Sequence, residues 1–526
     1  MFDMKKEYHG ISKISIISLL CFLFVLPLII ANVPYMDDNT RMDNGVAYWE
    51  YEGRPLTTIL FKLLNFNLYE IANVAPLPLL IGLFFVIFTI NYATDKMSAK
   101  KTIFNIVPFT FIICNPFFLQ NMSYQFDSIG HLFSVGFIIL SLFYSSDNKY
   151  KQHIFPVIAV ILSCASYQPT SNLYIGLYCV IFLFDLNRSK YEKSLTHIFR
   201  YISYYILGCS IYYLLYFIGF TYFFVEISNR NHIINFSQLF LSYKISFNEF
   251  LNLYLLINHG LTGILINISI IFILTNVLFK SFLIYKKEEN RSERLVKTIF
   301  TLLIPFGLVF SILGPFVLLK ELFFNPRDFP SVGAFFMVFG FSFYYFDFHN
   351  YLKKIFIFLW LICLFSFSFM YGNALHYDNN YKQYIYDSIA RDLELHSNEI
   401  KDKKIQVYGQ NAMTSYIYHA IEINPFIKAL IFPENTNFVK KYNLSARNIY
   451  NVIGGVIDDD YNEWNNICHN NILPLVKNGN YDIFTFEDHI SIWFKNNPNL
   501  CSNVPSDVNS KFSDKKTILE ENINNN

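Results

Sequence analysis

Apolar residues run in long blocks over roughly the first 370 positions, separated by short islands of charge. A block of ~20 apolar residues is long enough to cross a bilayer as a helix. The pattern predicts spans near 14–32, 73–93, 102–120, 128–145, 154–167, 172–187, 201–225, 261–285, 299–319, 331–348 and 354–371. The fifth and sixth are short and joined by YQPTSN, which predicts a helical hairpin broken at Pro169. The first block follows Lys5, Lys6 and Lys13 as a signal peptide would, but no small-x-small cleavage site follows it, so it reads as an uncleaved span. The expected fold class is a polytopic α-helical membrane protein with about 11 transmembrane helices.

From Gly372 the pattern changes. The tail is polar and rich in Asn, yet contains KKIQVYGQ, YDIFTFED and HISIWF, which alternate as strands do; the last two read as a hairpin. Asp458-Asp459-Asp460 opens an expected helix, DDDYNEWNNIC. The domains expected are a transmembrane domain over 1–371, a small α/β domain over 372–510 and a disordered end over 511–526.

Charge orients the spans. With the N-terminus inside, the inner islands hold about 20 Lys or Arg, against about 7 in the outer loops before the tail. That bias places the first loop, 33–72, and the tail outside the membrane. Net charge is +1 and no basic stripe is present, so nothing points to nucleic acid. Charged residues make up only 15% of the chain, so those beside spans are informative. Six of the eight Cys lie in or beside spans; Cys468 and Cys501 fall in the outer domain, where they would pair in an oxidising compartment or stay free.

The outer loops carry the candidate chemistry. Asp37 and Asp38 directly follow the first span, where lowered dielectric raises a carboxyl pKa toward that of a general base. In an extended chain the two would point to opposite sides, one to the reacting centre and the other to an arginine or a divalent metal. Arg54 precedes Pro55, and Leu56, Ile59, Leu60, Leu63 and Leu64 recur at helical spacing, predicting a juxtamembrane helix along the outer leaflet. An arginine at that electropositive helix start is suited to a bound phosphate; the plain alternative is a surface pair with Glu52 or Glu50. Asp127 stands in a short outer turn without Lys or Arg, four residues before His131; it reads either as a carboxylate needing a distant partner or as a helix N-cap. Tyr167 and Gln168 offer hydrogen bonds suited to sugar hydroxyls, or merely cap the broken hairpin. Arg327 in NPRDFPSVG is a second phosphate candidate, or an interfacial snorkelling arginine. Arg41 joins the substrate-binding candidates. All of these emerge on one membrane face. There is no Walker A motif and no zinc-type Cys/His cluster.

MDDNTR followed by EGRPLTTILFKLL and APLPLL, then NPFFLQNMSYQFDS, SYQPTSN and NPRDFPSVG, resembles the bacterial serotype-converting glucosyltransferases that modify O-antigen. The resemblance covers roughly the first 350 residues. It implies a GT-C-like glycosyltransferase in the bacterial inner membrane, with its N-terminus cytoplasmic and its C-terminal domain periplasmic. The implied donor is undecaprenyl-phosphate glucose supplied by a separate flippase, and the implied acceptor is a hydroxyl on lipid-linked O-antigen or a similar surface glycan. On this resemblance Asp37 or Asp38 deprotonates the acceptor, and Arg54 and Arg327 neutralise the leaving undecaprenyl phosphate. Asp127, Tyr167 and Gln168 orient sugars. No cofactor is firmly implied; a divalent metal, if any, would be held by Asp37 or Asp38.

Two rival readings share these residue types. A transporter of lipid-linked sugar would place binding groups near the midplane, often on inverted repeats, and no such repeat is visible. A glycan polymerase or ligase would share the outer site.

Overall fold

The computed structural model describes residues 12–97, 103–187, 195–223, 234–287, 291–318, 324–341, 350–400, 403–408, 413–431, 456–457, 472–487 and 489–495. Helices follow one another as α1 (Lys13–Ala31), α2 (Asp37–Asn44), α3 (Pro55–Leu64), α4 (Leu77–Met97), α5 (Ile103–Thr110), α6 (Pro116–Ser123), α7 (Ser128–Phe143), α8 (Lys149–Ser166), α9 (Ser171–Asn187), α10 (Leu195–Phe223), α11 (Leu239–Ile257), α12 (Gly260–Lys287), α13 (Arg291–Leu313), α14 (Val332–Phe341) and α15 (Asn350–Leu395). Short helices α16 (Ser397–Ile400), α17 (Ser415–Ile423) and α18 (Ile427–Leu430) follow.

Six helices among the described residues are long and apolar enough to cross a membrane: α1, α4, Ile198–Gly219 in α10, Gly260–Lys286 in α12, Arg294–Leu313 in α13 and Tyr351–Leu395 in α15. This is a membrane protein. Other predicted spans lie in shorter or interrupted helices, α7 and α14 among them. The block expected as one span at 102–120 is two helices, α5 and α6. Asn115 ends the first stretch in an extended conformation and caps α6, accepting from Phe118 N, while Pro116 occupies the first helical position. Non-helical backbone at membrane depth must be enclosed in protein, and residues 106–124 are buried almost throughout. The hairpin expected at Pro169 is present: α8 and α9 are joined by a 3₁₀ turn, Gln168–Thr170.

The chain divides into two units, Met1–His376 with His419–Ile431, and Tyr377–Tyr418 with Phe432–Asn526. In the first unit α7 lies between α4 and α8 and is buried along nearly its whole length. Gly130 of α7 admits α3 closely: a Cβ there would stand 2.2 Å from Thr57 Oγ1. Thr57 in turn donates to Ser166 O at the end of α8, at 2.8 Å. Thr57, Thr58 and Phe61 of α3 are buried, while Ile59 and Leu63 are exposed. The helix thus turns two threonines and a phenylalanine inward and leaves Ile59 and Leu63 outward.

The second unit contains a five-stranded sheet of β1 (Lys404–Tyr408), β2 (Val456–Ile457), β3 (Val476–Lys477), β4 (Tyr481–Thr485) and β5 (His489–Phe494), in the order β2-β1-β5-β4-β3. The expected hairpin is β4 and β5, antiparallel with Ile483 opposite Ile492. Ile385, Ile389 and Leu393 of α15 pack with Ile405, Tyr481, Ile483, Ile490 and Ile492 into its core. Where the sequence ended the last span at 371, α15 runs unbroken to Leu395. The helix expected at Asp458, the end from Lys511, and Cys468 and Cys501 lie outside the described residues.

Candidate functional site

The site grows from the loop between α1 and α4. Asn32 ends α1 in the left-handed conformation and the chain folds back to start α2 at Asp37. The two carboxylates thus stand in the first turn of a helix, not in extended chain. Successive residues of a helix still diverge, by ~100° of rotation, and the pair separates sharply. Asp38 is wholly buried. Its Oδ2 accepts from Tyr35 N and Gln125 N, each at 2.8 Å, and its Oδ1 accepts from Phe126 N at 3.2 Å. The carboxylate therefore ties the turn between α6 and α7 to the end of α1. Burial pushes its pKa up to about 8 and the three N–H donors pull it down; in either state its oxygens are engaged within the protein.

Asp37 is exposed. Its carboxyl lies within electrostatic reach of Arg327, Asp127, Glu52 and Arg41. Enclosure among protein atoms holds its pKa above the ordinary carboxylate value; Arg327 and Arg41 oppose the rise, and Asp127 and Glu52 add to it.

Asp127 occupies the N-cap position of α7 without making a capping bond. It accepts from Trp49 Nε1, and Arg41 Nη2 lies 3.9 Å from the same oxygen. Asp127 is thus both the N-cap residue and a carboxylate with distant partners, Trp49 and Arg41 of the first loop. Arg41 stacks over the Trp49 ring at 4.0 Å and donates from Nη1 to Ala47 O at 2.6 Å. Burial would raise the Asp127 pKa, but Arg41, His131, Arg54 and Arg327 outweigh it and hold it below the usual value. His131, one turn further on, places Nδ1 2.9 Å from Asn121 O. Trp49 is fully buried against Phe61 and Phe126, whereas Tyr48 and Tyr51 are exposed.

The arginine end is held by tyrosines. Arg54 lies over the Tyr167 ring at 4.7 Å, and its Nη1 is 3.5 Å from Glu52 Oε2, so the pairing weighed as the plain alternative is present. Thr57 N and Thr58 N both bond to Arg54 O, so the guanidinium, more than the helix start, is what Arg54 offers an anion. Gly53, at φ 78°, lets the turn reach Arg54; a Cβ there would stand 2.4 Å from Gln168 Nε2. Gln168 Nε2 donates to Glu52 O at 2.7 Å, and Tyr212 OH donates to Gly53 O at 2.5 Å. Tyr167 is fully buried, with its hydroxyl 3.1 Å from both Arg327 O and Asp328 Oδ1. It sits under one arginine and against the backbone of the other. Arg327 N donates to Gln120 Oε1 at 2.8 Å, and its Nη1 donates to Tyr124 OH. Asp328 is buried and accepts from Asn325 N at 3.1 Å. The Nε atoms of Arg54 and Arg327 are buried without a hydrogen-bond partner.

The five sequence features are thus linked in one network: Asp37 lies within electrostatic reach of Arg327, Asp127, Glu52 and Arg41, Arg54 of Glu52, Asp127, Tyr167 and Arg327, and Gln168 bonds to Glu52 O. Sequence reasoning did not single out Gln120, Tyr124 or Tyr212, although polar residues inside apolar blocks were a usable signal. Among the described residues no three His, Cys, Asp or Glu side chains converge as a metal centre. Asp38 has its oxygens engaged, so Asp37 alone of the pair could share an ion.

An uncharacterized 55.3 kDa protein in the gtrB 5' region of Salmonella phage P22 is 28% identical over 183 residues, 35% of this chain. The match spans 38% of that relative's length. No solved structure matches the chain significantly. The model of the family described as glucosyl transferase GtrII matches residues 26–344, which include every one of the clustered site residues. With well over half its length matched, this chain belongs to the GtrII glucosyl transferase family.

Proposed function

We propose that the protein transfers glucose from undecaprenyl-phosphate glucose to a hydroxyl of lipid-linked O-antigen or a similar surface glycan, on the periplasmic side of the bacterial inner membrane. The reading rests on family membership and on one geometric observation: of two adjacent carboxylates, Asp38 is consumed by backbone donors while Asp37 is exposed beside Arg327. Asp37 is then the general base. It takes the proton from the acceptor hydroxyl as that oxygen bonds to the sugar's anomeric carbon. The bond from that carbon to the phosphate oxygen breaks, and undecaprenyl phosphate leaves with its electron pair. Arg327 and Arg54 neutralise the charge that develops on the phosphate. Their guanidinium planes are already set by Tyr124 and Tyr167, so little is reorganised as the charge appears. Every step is assigned to side chains of the chain itself, and a separate flippase supplies the donor.

Transfer from labelled undecaprenyl-phosphate glucose to acceptor in membranes tests the reading. Asp37→Asn should cut kcat by at least about 100-fold, the usual scale of a general base, while donor binding persists. Full activity in Asp37→Asn would remove the base assignment. Transport of lipid-linked sugar across liposomes without transfer would favour the rival transporter reading.

A further inference from the structure

Glu52 ends the 3₁₀ turn Trp49–Glu52, and the backbone there is locked. Gln168 donates to its carbonyl, Tyr212 donates to that of Gly53, and a Cβ on Gly53, itself at positive φ, would stand 2.4 Å from Gln168 Nε2 and 2.7 Å from Tyr212 OH. The Glu52 side chain is partly exposed and reaches Arg54, at 3.5 Å. Arg54 is far less exposed and lies over the Tyr167 ring. The pair is therefore asymmetric, a more buried cation and a more exposed carboxylate. A guanidinium fork that binds phosphate also binds carboxylate, and the two anions compete for the same N–H groups.

We infer that Glu52 is a built-in competitor for the donor's phosphate. In the empty enzyme it neutralises and orients Arg54. The phosphate of the incoming donor displaces the carboxylate, which swings aside on its fixed backbone. After transfer, the return of Glu52 to Arg54 speeds release of undecaprenyl phosphate. This inference rests on Arg54 as a phosphate ligand, as read above.

The test is equilibrium binding and dissociation of undecaprenyl phosphate with the full-length protein in nanodiscs, for wild type, E52Q, E52A, R54A and the E52Q/R54A pair. Removing a partly exposed ion-pair partner should tighten binding about three- to tenfold. E52Q and E52A should both show this, with slower dissociation, and the gain should vanish in the R54A background. Unchanged or weaker binding in E52Q and E52A would overturn the competition, as would a gain that survives R54A. Binding unaffected by R54A alone would strike instead at Arg54 as the phosphate ligand. A normal R54A loss with no E52Q gain would strike only at Glu52.

Discussion

The two ends of the stretch between α1 and α3 are anchored by opposite means. At the acidic end, Asp38 is clamped by three backbone N–H groups from Tyr35, Gln125 and Phe126. At the basic end, Arg54 is held by side chains, the ring of Tyr167 beneath it and the hydroxyl of Tyr212 and amide of Gln168 on the preceding turn. Backbone donors demand a carboxylate of one size in one place. Stacked rings and hydroxyls tolerate graded change. The acidic end should therefore respond to substitution in an all-or-none manner, and the basic end by degrees.

The strongest separation is between the neighbouring aspartates. Asp37→Asn should fold normally and lose at least about 100-fold in kcat. Asp38→Asn should instead destabilise the fold: its amide oxygen can still accept from Tyr35 N and Gln125 N, but its NH2 then faces the buried Phe126 N–H, which is left unmet at about 1–3 kcal/mol. Thermal unfolding in detergent would show the difference, and equal melting of the two variants would collapse the comparison. At the other end, Arg54→Ala should raise donor KM about 10- to 100-fold, with Arg54→Lys in between because a lysine keeps the charge but not the fork. A lysine variant as poor as alanine would show that geometry, not charge, decides there.

The pH dependence sharpens the picture further. Asp37 must be ionised to act as base, so activity rises with pH through its pKa, which lies above the ordinary carboxylate value. Arg327 lowers that pKa, so Arg327→Ala should move the acid limb to higher pH. Glu52 raises it, so Glu52→Gln should move the limb to lower pH. Limbs that stay in place would mean another group titrates. The smallest effect is expected from Tyr212→Phe, which removes one hydrogen bond to Gly53 O and should cost a few-fold in donor KM, on the order of 1 kcal/mol. Loss of all activity in that variant would show the basic end to be as strict as the acidic one.

Much of this was readable along the chain. MDD, EGRPL, SYQFDS, YQPTS and NPRD stand out because charge and amide groups are costly next to apolar blocks and persist only with a reason. The Pro55 helix start and the Pro169 break follow from proline's fixed φ and missing N–H. The split at Asn115-Pro116 is hidden from hydropathy, which averages over a window, and PFFLQN is apolar enough to conceal the cap that precedes it.

What the sequence by itself determined is the membrane character, the order of the polar islands and the residue types available to the chemistry, since these follow from local hydropathy and backbone preference. Which aspartate is free was beyond it. Asp37 and Asp38 are the same residue type, one position apart, and they differ through Gln125 and Phe126, which lie 87 and 88 residues away from Asp38. Tyr167 offers the same lesson: its phenol suits a sugar by type, but burial under Arg54 makes it a support. Hydrogen-bond saturation and burial are properties of the packed chain, because both depend on which distant groups arrive at the same place.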